Sequence, residues 1–446
     1  MYKSFFLLSV PIVLSQGIQT ILLLLDRYLL STKDPLFAAV ATTSGFVALS
    51  FNQLFSYALS FASAPIGNSF GKNDLQGCYR TLTQCFAIST LFVPIILLLI
   101  PLGQYCFSYL QHPTHYIELE NSYFRIAMIS YLPLLYKTSL ESYLIGVKNS
   151  RPILLSNLVA LLSNTFFCYL FVLGPFQPFF HGADGAAYAL LFSNVISTIA
   201  LMAISSWKLS RASLRMGIKS LFIQGFYVGS EKFINNFCFV LFVNMLVVYG
   251  SELSVAVSIV FSWDRIAFLP LMGISGSLLS LYSHQLGEKN RFEANRSLHA
   301  GLQVTLLLMG TIALFFWTCS DFLVQLALRT KSDGLDVVKV QIIAKSLLRT
   351  ACFYIVLQAF IIVYKAALRS LGLAAWCFRY SALIHLLLIG SSYIGIYYLH
   401  VNPFQAWGYF MAMLIASALL FTLKFYLYNR HLDGEARKRP KMAEFT

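Results

Sequence analysis

The sequence predicts an all-α polytopic membrane protein with twelve transmembrane helices in two pseudo-symmetric six-helix bundles. Three observations predict this class: an apolar composition, twelve apolar runs long enough to cross a bilayer, and an internal repeat. Of the 446 residues, 58% are hydrophobic and only 11% are charged, whereas soluble domains carry about a quarter charged residues. The composition therefore excludes a soluble protein, a disordered chain and a secreted disulfide scaffold.

Each apolar run can cross the membrane as a helix. The hydrocarbon core needs about 20 apolar residues per helix, and lipid offers no other way to satisfy the backbone amides of an open chain. The runs lie near 5–30, 37–66, 81–104, 123–147, 152–174, 184–206, 220–249, 253–282, 299–318, 341–368, 376–398 and 405–428. An even number of spans requires both termini on the same side of the membrane.

The basic residues of the loops orient the chain. Nearly all loop Lys and Arg residues lie on the side of the N-terminus, and the other side holds only Lys33, Arg329, Lys331 and Lys339. Because positively charged loops stay cytoplasmic, we expect an integral plasma (inner) membrane protein with both termini in the cytoplasm. The basic tail is then a topology signal or a contact for anionic membrane lipid, and no nucleic-acid partner is predicted.

The two halves of the chain resemble each other. Gly71 and Gly287 are in register at an offset of 216 residues, within segments 37–80 and 253–296. Two repeats that share one orientation can form two matching bundles around a cleft. The predicted division is an N-terminal lobe at 1–207, a cytoplasmic linker at 208–219, a C-terminal lobe at 220–429 and a basic cytoplasmic tail at 430–446.

Several motifs resemble one family. The stretch SFGKNDLQGCYRTLTQ (69–84) is similar to the cytoplasmic loop after the second helix of multidrug and toxic compound extrusion (MATE) transporters. Residues 142–174 resemble their connection from the fourth to the fifth helix, and ALRSLGLAAW (367–376) resembles their Ala-Leu-Arg-Gly-Leu-Gly run. The resemblance covers about the whole chain and places it in the multidrug/oligosaccharidyl-lipid/polysaccharide flippase superfamily. It implies a secondary active exporter that works by alternating access and uses a Na⁺ or H⁺ gradient.

The resemblance places a coupling-ion site at Asp26, Tyr123 and Asn164. The family keeps an Asp in the first helix whose protonation or Na⁺ ligation drives export, a Tyr in the fourth helix and an Asn in the fifth. A carboxylate in an apolar cleft can exchange a proton near neutral pH, whereas Na⁺ favours the ionised form. The alternatives are that Asp26 pairs with a base such as Arg27 or lies in interfacial water next to Lys33 and Asp34, and that Tyr123 and Asn164 only form hydrogen bonds between helices.

Two departures from the family favour H⁺ over Na⁺. Cys168 stands where many members carry an Asp or Asn, and Leu190 stands where the sixth helix often has a Thr. A Na⁺ site needs several oxygen ligands, so the loss of two weakens it. No cofactor and no metal site is predicted.

The second half is expected to supply the substrate cavity, through Glu231, Asn235, Asp264, Arg265 and Lys365. An ionisable side chain near the bilayer centre costs roughly 2.5–3.5 kcal/mol, so such a residue usually faces a cavity or a partner. The repeat register gives Asn235 the position of a Glu found in the Na⁺-driven branch. Bases such as Lys365 suit a small anionic or zwitterionic solute. The alternative for the pairs Asp264–Arg265 and Glu231–Lys232 is charge-balanced helix packing.

Pro11, Lys137 and Glu141 are predicted to be structural or gating residues. Lys137 and Glu141 are four residues apart, so they share a helix face and can pair, and Pro11 can kink its helix. No constellation of nucleophile, base and metal is evident, so no enzyme is predicted. The alternative function is a flippase for a lipid-linked saccharide or another anionic lipid, attracted by a basic cleft.

Overall fold

The computed structural model describes residues 2–109, 114–180, 183–210, 217–328 and 336–438. Over these residues the chain is helical and contains no strand. Its α-helices are α1 (Tyr2–Lys33), α2 (Pro35–Ser60), α3 (Ser63–Gly71), α4 (Leu75–Tyr109), α5 (Thr114–Gly146), α6 (Arg151–Cys168), α7 (Asp184–Ile204), α8 (Ile218–Met245), α9 (Ser251–Gly287), α10 (Arg291–Thr318), α11 (Ser320–Leu328), α12 (Val337–Ser370), α13 (Ala374–Tyr393) and α14 (Pro403–Lys438). Residues 211–216 of the predicted linker, 439–446 of the predicted tail, and Arg329 and Lys331 lie outside the described residues.

The long helices follow the predicted spans. Each of the twelve apolar runs overlaps a different helix of at least 18 residues, although the run at 37–66 continues past the end of α2 into α3. Helices α3 and α11, with nine residues each, are too short to cross a bilayer. Ten described helices are long and apolar enough to cross a membrane. The other two long helices are α2, which is rich in hydroxyl and amide side chains, and α5, which carries several charges. The class is confirmed, and the arrangement of twelve spans in two bundles stays a prediction.

Local sequence explains where the helices begin. The Asp34 side chain caps α2 by accepting a hydrogen bond from the backbone N–H of Leu36 at 2.8 Å, which separates α2 from α1. Asp336 caps α12 in the same way, through the N–H of Lys339 at 3.1 Å. Pro11, one of the residues predicted to be structural or gating, lies inside α1, and the helix continues past it.

Backbone contacts divide the chain into two compact units. Unit 1 consists of Met1–Asn236 and Met272–Ser297, and unit 2 consists of Phe237–Leu271 and Leu298–Thr446. Their boundaries fall within α8, α9 and α10. In unit 1, α5 packs against α2, α4 and α7, and α6 packs against α1 and α7; in unit 2, α12 packs mainly against α14. The lobes at 1–207 and 220–429 stay a prediction.

The internal repeat is visible as a contact within unit 1. A Cβ atom on Gly71, at the end of α3, would clash with the backbone oxygen of His284 on α9, and a Cβ on Gly287 would clash with the backbone oxygen of Asn68 on α3. Gly71 and Gly287 are 216 residues apart, and so are Asn68 and His284. The two contacts are therefore copies of each other, as in a self-complementary two-fold pair.

Candidate functional site

Asp26, Tyr123 and Asn164 lie together in the interior of unit 1. Helix α1 supplies Asp26, α5 supplies Tyr123 and α6 supplies Asn164, and no more than 4% of any of these residues is exposed. The Asn164 amide donates from Nδ2 to Asp26 Oδ1 at 2.6 Å. The three residues that the family resemblance selects are thus brought into one buried site, which we call the Asp26 cluster.

Arg27 joins the Asp26 cluster on the side of Tyr123. Its guanidinium hydrogen-bonds to the Tyr123 side chain and interacts electrostatically with Asp26. Gly45 on α2 leaves room for both, because a Cβ there would lie 2.9 Å from Arg27 Nη2 and 3.3 Å from Tyr123 Cε1. Among the described residues, no hydrogen-bond partner meets the buried atoms Arg27 Nη1 and Asn164 Oδ1. Asp26 therefore has both a hydrogen bond from Asn164 and an electrostatic interaction with Arg27.

Cys168 completes the cluster from α6. It is fully buried one turn beyond Asn164, and its thiol hydrogen-bonds to Asp26. A turn of π-helix begins at the next residue and ends the regular helix there. A thiol is only a weak hydrogen-bond donor and acceptor, and sulfur ligands suit soft metals rather than alkali cations. Cys168, one of the two residues that depart from the family pattern, thus contacts the Asp26 carboxylate directly.

A second buried site lies further along the same helices. Lys137, on α5, is 1% exposed, and its Nζ donates to Asn157 Oδ1 at 2.6 Å and to Ser197 Oγ at 3.1 Å. Asn157 donates to Ser15 Oγ and also hydrogen-bonds to Glu141. Glu141 Oε1 is buried and has no hydrogen-bond partner within the described part of the chain. We call these five residues the Lys137 cluster.

Sequence reasoning found the charged half of the Lys137 cluster and missed the rest. The helix spacing selects Lys137 and Glu141, which do interact electrostatically. Their contact is mediated by Asn157, which bonds to both side chains. The sequence does contain a signal that could have identified Asn157. It stands seven residues before Asn164 in α6, so the two amides share a helix face.

The predicted substrate residues are divided between the two units. Glu231 and Asn235 belong to unit 1, where Glu231 is buried, and Asp264, Arg265 and Lys365 belong to unit 2, where Arg265 is exposed. The shared cavity therefore stays a prediction.

In unit 2, Asp264 and Lys365 are both held by neighbouring side chains. The Tyr354 hydroxyl donates to Asp264 Oδ2, and in the described chain no partner meets Asp264 Oδ1. Lys365 donates to Ser381 Oγ at 3.1 Å and lies 4.5 Å from the ring centroid of Phe421. These contacts combine polar and aromatic groups around buried charges, as expected for charges that must be stabilised inside a membrane.

Two further bases of α12, Lys345 and Arg349, have partners at the surface. Lys345 Nζ lies 2.5 Å from Asp321 Oδ1, in a pair in which both side chains are substantially exposed. Arg349 lies over the ring of Trp317, with its Cζ 5.5 Å from the centroid. Lys365 is thus the base of α12 that is buried, and the predicted concentration of bases in a cleft rests mainly on it.

The helices and the buried charged clusters define the class of protein, and a family profile then identifies the family. An all-α chain with ten helices apolar enough to cross a bilayer, and with charged clusters buried among them, is an integral membrane protein. The MatE family profile matches residues 11–170 and 228–394, which together exceed half of the chain. The chain therefore belongs to the MatE family, which places it among membrane transporters rather than enzymes. The profile matches once in each half, in agreement with the sequence repeat.

A curated relative and several solved structures are similar to the chain. It is 22% identical over 278 residues to a probable multidrug resistance protein NorM of Thermotoga maritima, and the match covers 59% of each chain. The aligned region thus spans less than two thirds of that relative's length.

Among solved structures, the chain matches a MOP superfamily transporter from Pyrococcus furiosus with a TM-score of 0.87 at 16% identity, over 97% of this chain and 96% of that one. That transporter is described as having a binding pocket of reverse polarity, which suggests a different function. A MATE protein in a bent conformation matches with a TM-score of 0.87 at 16% identity over 98% and 97% of the two chains. A multidrug resistance MATE family transporter in an outward-facing conformation matches with a TM-score of 0.84 at 17% identity over 97% and 96%. At these identities the similarity shows the fold.

Proposed function

We propose that this protein is a secondary active exporter that moves a small solute by alternating access in antiport with H⁺ bound at Asp26. The Asp26 cluster is the observation that carries the proposal. It is a buried carboxylate that accepts a hydrogen bond from Asn164 and lies beside a guanidinium, within helices of a transporter family. Intramembrane ionisable residues in transporters commonly take part in proton transfer, and a buried carboxylate such as Asp26 supports this role.

The neighbours of Asp26 favour a proton over Na⁺. A bound Na⁺ would need several oxygen ligands, but Cys168 offers sulfur and Arg27 places a positive charge next to the carboxylate. A proton needs one carboxylate oxygen. Its binding neutralises Asp26 and weakens the interactions with Arg27 and Asn164, which changes the contacts between α1, α5 and α6. Antiport follows if these contacts differ between the outward-open and inward-open states.

Alternating access fits the duplicated sequence. In this proposal the two lobes, residues 1–207 and 220–429, are six-helix bundles that rock about a central cleft, and twelve spans cross the bilayer. The double match of the family profile supports the duplication. The solved relatives in bent and outward-facing conformations support a fold that takes more than one state.

The exported solute is proposed to be anionic or zwitterionic. Lys365 is a buried base whose ammonium contacts Ser381 and the Phe421 ring in unit 2. An ammonium recognises a negatively charged group by charge-assisted hydrogen bonds. The relative from Pyrococcus furiosus, whose pocket has reverse polarity, supports a substrate unlike the organic cations usual for the family.

The test is efflux from proteoliposomes that carry the full chain and an imposed gradient of either pH or Na⁺. Asp26→Asn removes the proton-binding group and keeps the size and hydrogen-bonding capacity of the side chain. We expect it to abolish pH-driven efflux of a fluorescent organic anion, while Asp74→Asn, an exposed acid outside the spans, leaves efflux unchanged. Unaltered efflux by the Asp26→Asn variant contradicts coupling through Asp26.

A lipid flippase is the second candidate. The buried ammonium of Lys365 suits an anionic headgroup as well as it suits a free anion. The same proteoliposomes separate the two functions when they carry a fluorescent anionic lipid instead of a soluble probe. Protein-dependent movement of this lipid between leaflets, without efflux of the soluble anion, would favour the flippase.

A further inference from the structure

The Lys137 cluster lies on the same faces of the same helices as the Asp26 cluster. On α1, Ser15 and Asp26 are eleven residues apart, and on α6, Asn157 and Asn164 are seven residues apart. At 3.6 residues per turn both spacings return to one face, at about 16 Å and about 10 Å along the helix axes. Two separate polar sites thus face the same interior of unit 1 at different depths.

Polar contacts between α5 and α7 fill part of the interval between the two clusters. Asn194 Nδ2 donates to the backbone oxygen of Ser130 at 2.9 Å, and the Thr198 hydroxyl donates to the backbone oxygen of Pro133 at 3.2 Å. Ser130 and Asn194 are both buried. The interior between the clusters therefore contains polar groups as well as apolar side chains.

The charge balance of the Lys137 cluster depends on one proton. Lys137 is the charged group that faces Glu141 in the described chain, and the helices packed around it contribute Asn157, Ser15 and Ser197, which do not titrate. While Glu141 is ionised, the cluster is neutral. Protonation of Glu141 would leave the ammonium of Lys137 buried without a counter-charge, and an unpaired buried charge strongly destabilises the packing around it.

We propose that Glu141 is a second proton-binding site of this transporter. The proposal rests on the proposed antiport and extends it. Its Oε1 atom is buried and has no hydrogen-bond partner among the described residues, so it can accept a proton without breaking an existing bond. The proton forms an O–H bond on the Glu141 carboxylate, and Lys137 keeps its own protons and its bonds to Asn157 and Ser197.

Protonation of Glu141 would weaken the contacts between the helices that meet at the Lys137 cluster. The Lys137 cluster ties α5 to α6 and α7 directly, and to α1 through Asn157 and Ser15. A net positive charge inside this junction favours a state in which the ammonium reaches water or an incoming anion. Proton binding at Glu141 thus loosens the same helices that hold Asp26, and the two sites act on one set of contacts.

Infrared difference spectroscopy tests proton binding without any substrate. The purified full chain is titrated from alkaline to acidic pH in an Asp26→Asn background, so that the signal of Asp26 is absent. Buried acids such as Glu231 and Asp264 remain in this background, so we expect the further change Glu141→Gln to remove one component of the carbonyl band of protonated buried carboxyls rather than the whole band. Glu118→Gln makes the same substitution at an exposed position of α5 and should leave the band in place.

A second measurement counts protons during transport. With Asp26 intact, Glu141→Gln should about halve the number of protons exchanged per molecule of a fluorescent organic anion, whereas Asp26→Asn abolishes the efflux. If Glu141→Gln alone unfolds, Lys137→Met with Glu141→Gln removes both charges and keeps the cluster neutral. An unchanged infrared band together with an unchanged proton count would show that Glu141 is only a packing residue. The Asp26→Asn result decides the proposed function separately.

Discussion

At the scale of single residues, Asp26 depends on three side chains of different chemistry. Asn164 donates a short hydrogen bond, Cys168 contributes a thiol, and Arg27 adds a nearby positive charge. The first two stand on one face of α6, so a change at Cys168 alters the ligands of Asp26 without moving Asn164. Under the proposed function, the identity of residue 168 therefore influences which cation the cluster binds.

Cys168→Asp should create a Na⁺ site in the Asp26 cluster. The second carboxylate, Asp26 and the unpartnered Asn164 Oδ1 would supply the oxygen ligands that a hard cation prefers. We expect Na⁺, and not K⁺, to raise the melting temperature of Cys168→Asp. Binding at a hundredfold excess over Kd corresponds to about 2.7 kcal/mol of stabilisation. Cys168→Ser, which adds no charge, is the matched control, and equal responses of both variants to Na⁺ would contradict the prediction.

At the scale of helices, the contact between α3 and α9 depends on the absence of side chains. The chain crosses closely where Gly71 faces His284 and Gly287 faces Asn68, and the Asn68 amide donates to the backbone oxygen of Ser283 at 3.3 Å. Such a crossing of small residues lets two backbones approach closely inside a membrane. The repeated glycine thus serves as a packing residue in both halves of the chain.

Gly71→Ala should destabilise the protein. The new methyl group meets the backbone of His284, which cannot move aside as a side chain could, and overpacking of this kind costs about 1–3 kcal/mol. Gly310→Ala is the matched control, because Gly310 lies in the interior of α10 with no atom within 4 Å of the added Cβ, and alanine favours a helix by about 0.5–1 kcal/mol. Thermal unfolding in detergent compares them. A Gly71→Ala protein as stable as Gly310→Ala would show that the helices do not approach this closely.

The sequence predicted the helices better than the contacts between them. Apolar runs located each long helix because a bilayer fixes the length of a span, yet α11 was not foreseen because its nine residues follow α10 with only Cys319 between. The family resemblance selected Asp26, Tyr123 and Asn164. It could not select Asn157, whose importance arises only when α5 and α6 bring it between Lys137 and Glu141.

At the scale of the whole molecule, buried charge is unevenly distributed. Unit 1 contains both the Asp26 and the Lys137 clusters, in which charges meet amides and hydroxyls. In unit 2, the acid Asp264 lies against Tyr354, which packs edge-to-face on Phe410. Under the proposed function, unit 1 is suited to exchanging protons, and the aromatic surroundings in unit 2 are suited to contacts with the solute.

The orientation of the chain in the membrane is a prediction that can be measured directly. The predicted orientation places Asn149, in the turn between α5 and α6, in the cytoplasm and His400, between α13 and α14, outside; both residues are exposed. In a background without the native cysteines, we expect a membrane-impermeant maleimide added to intact cells to label His400→Cys and to leave Asn149→Cys unmodified. Asn149→Cys should react once the membrane is permeabilised, which controls for accessibility. Labelling of Asn149→Cys in intact cells would contradict the predicted orientation, because the positively charged loops would then lie outside. In that orientation, a proton entering from the more acidic exterior would meet the Lys137 cluster before Asp26.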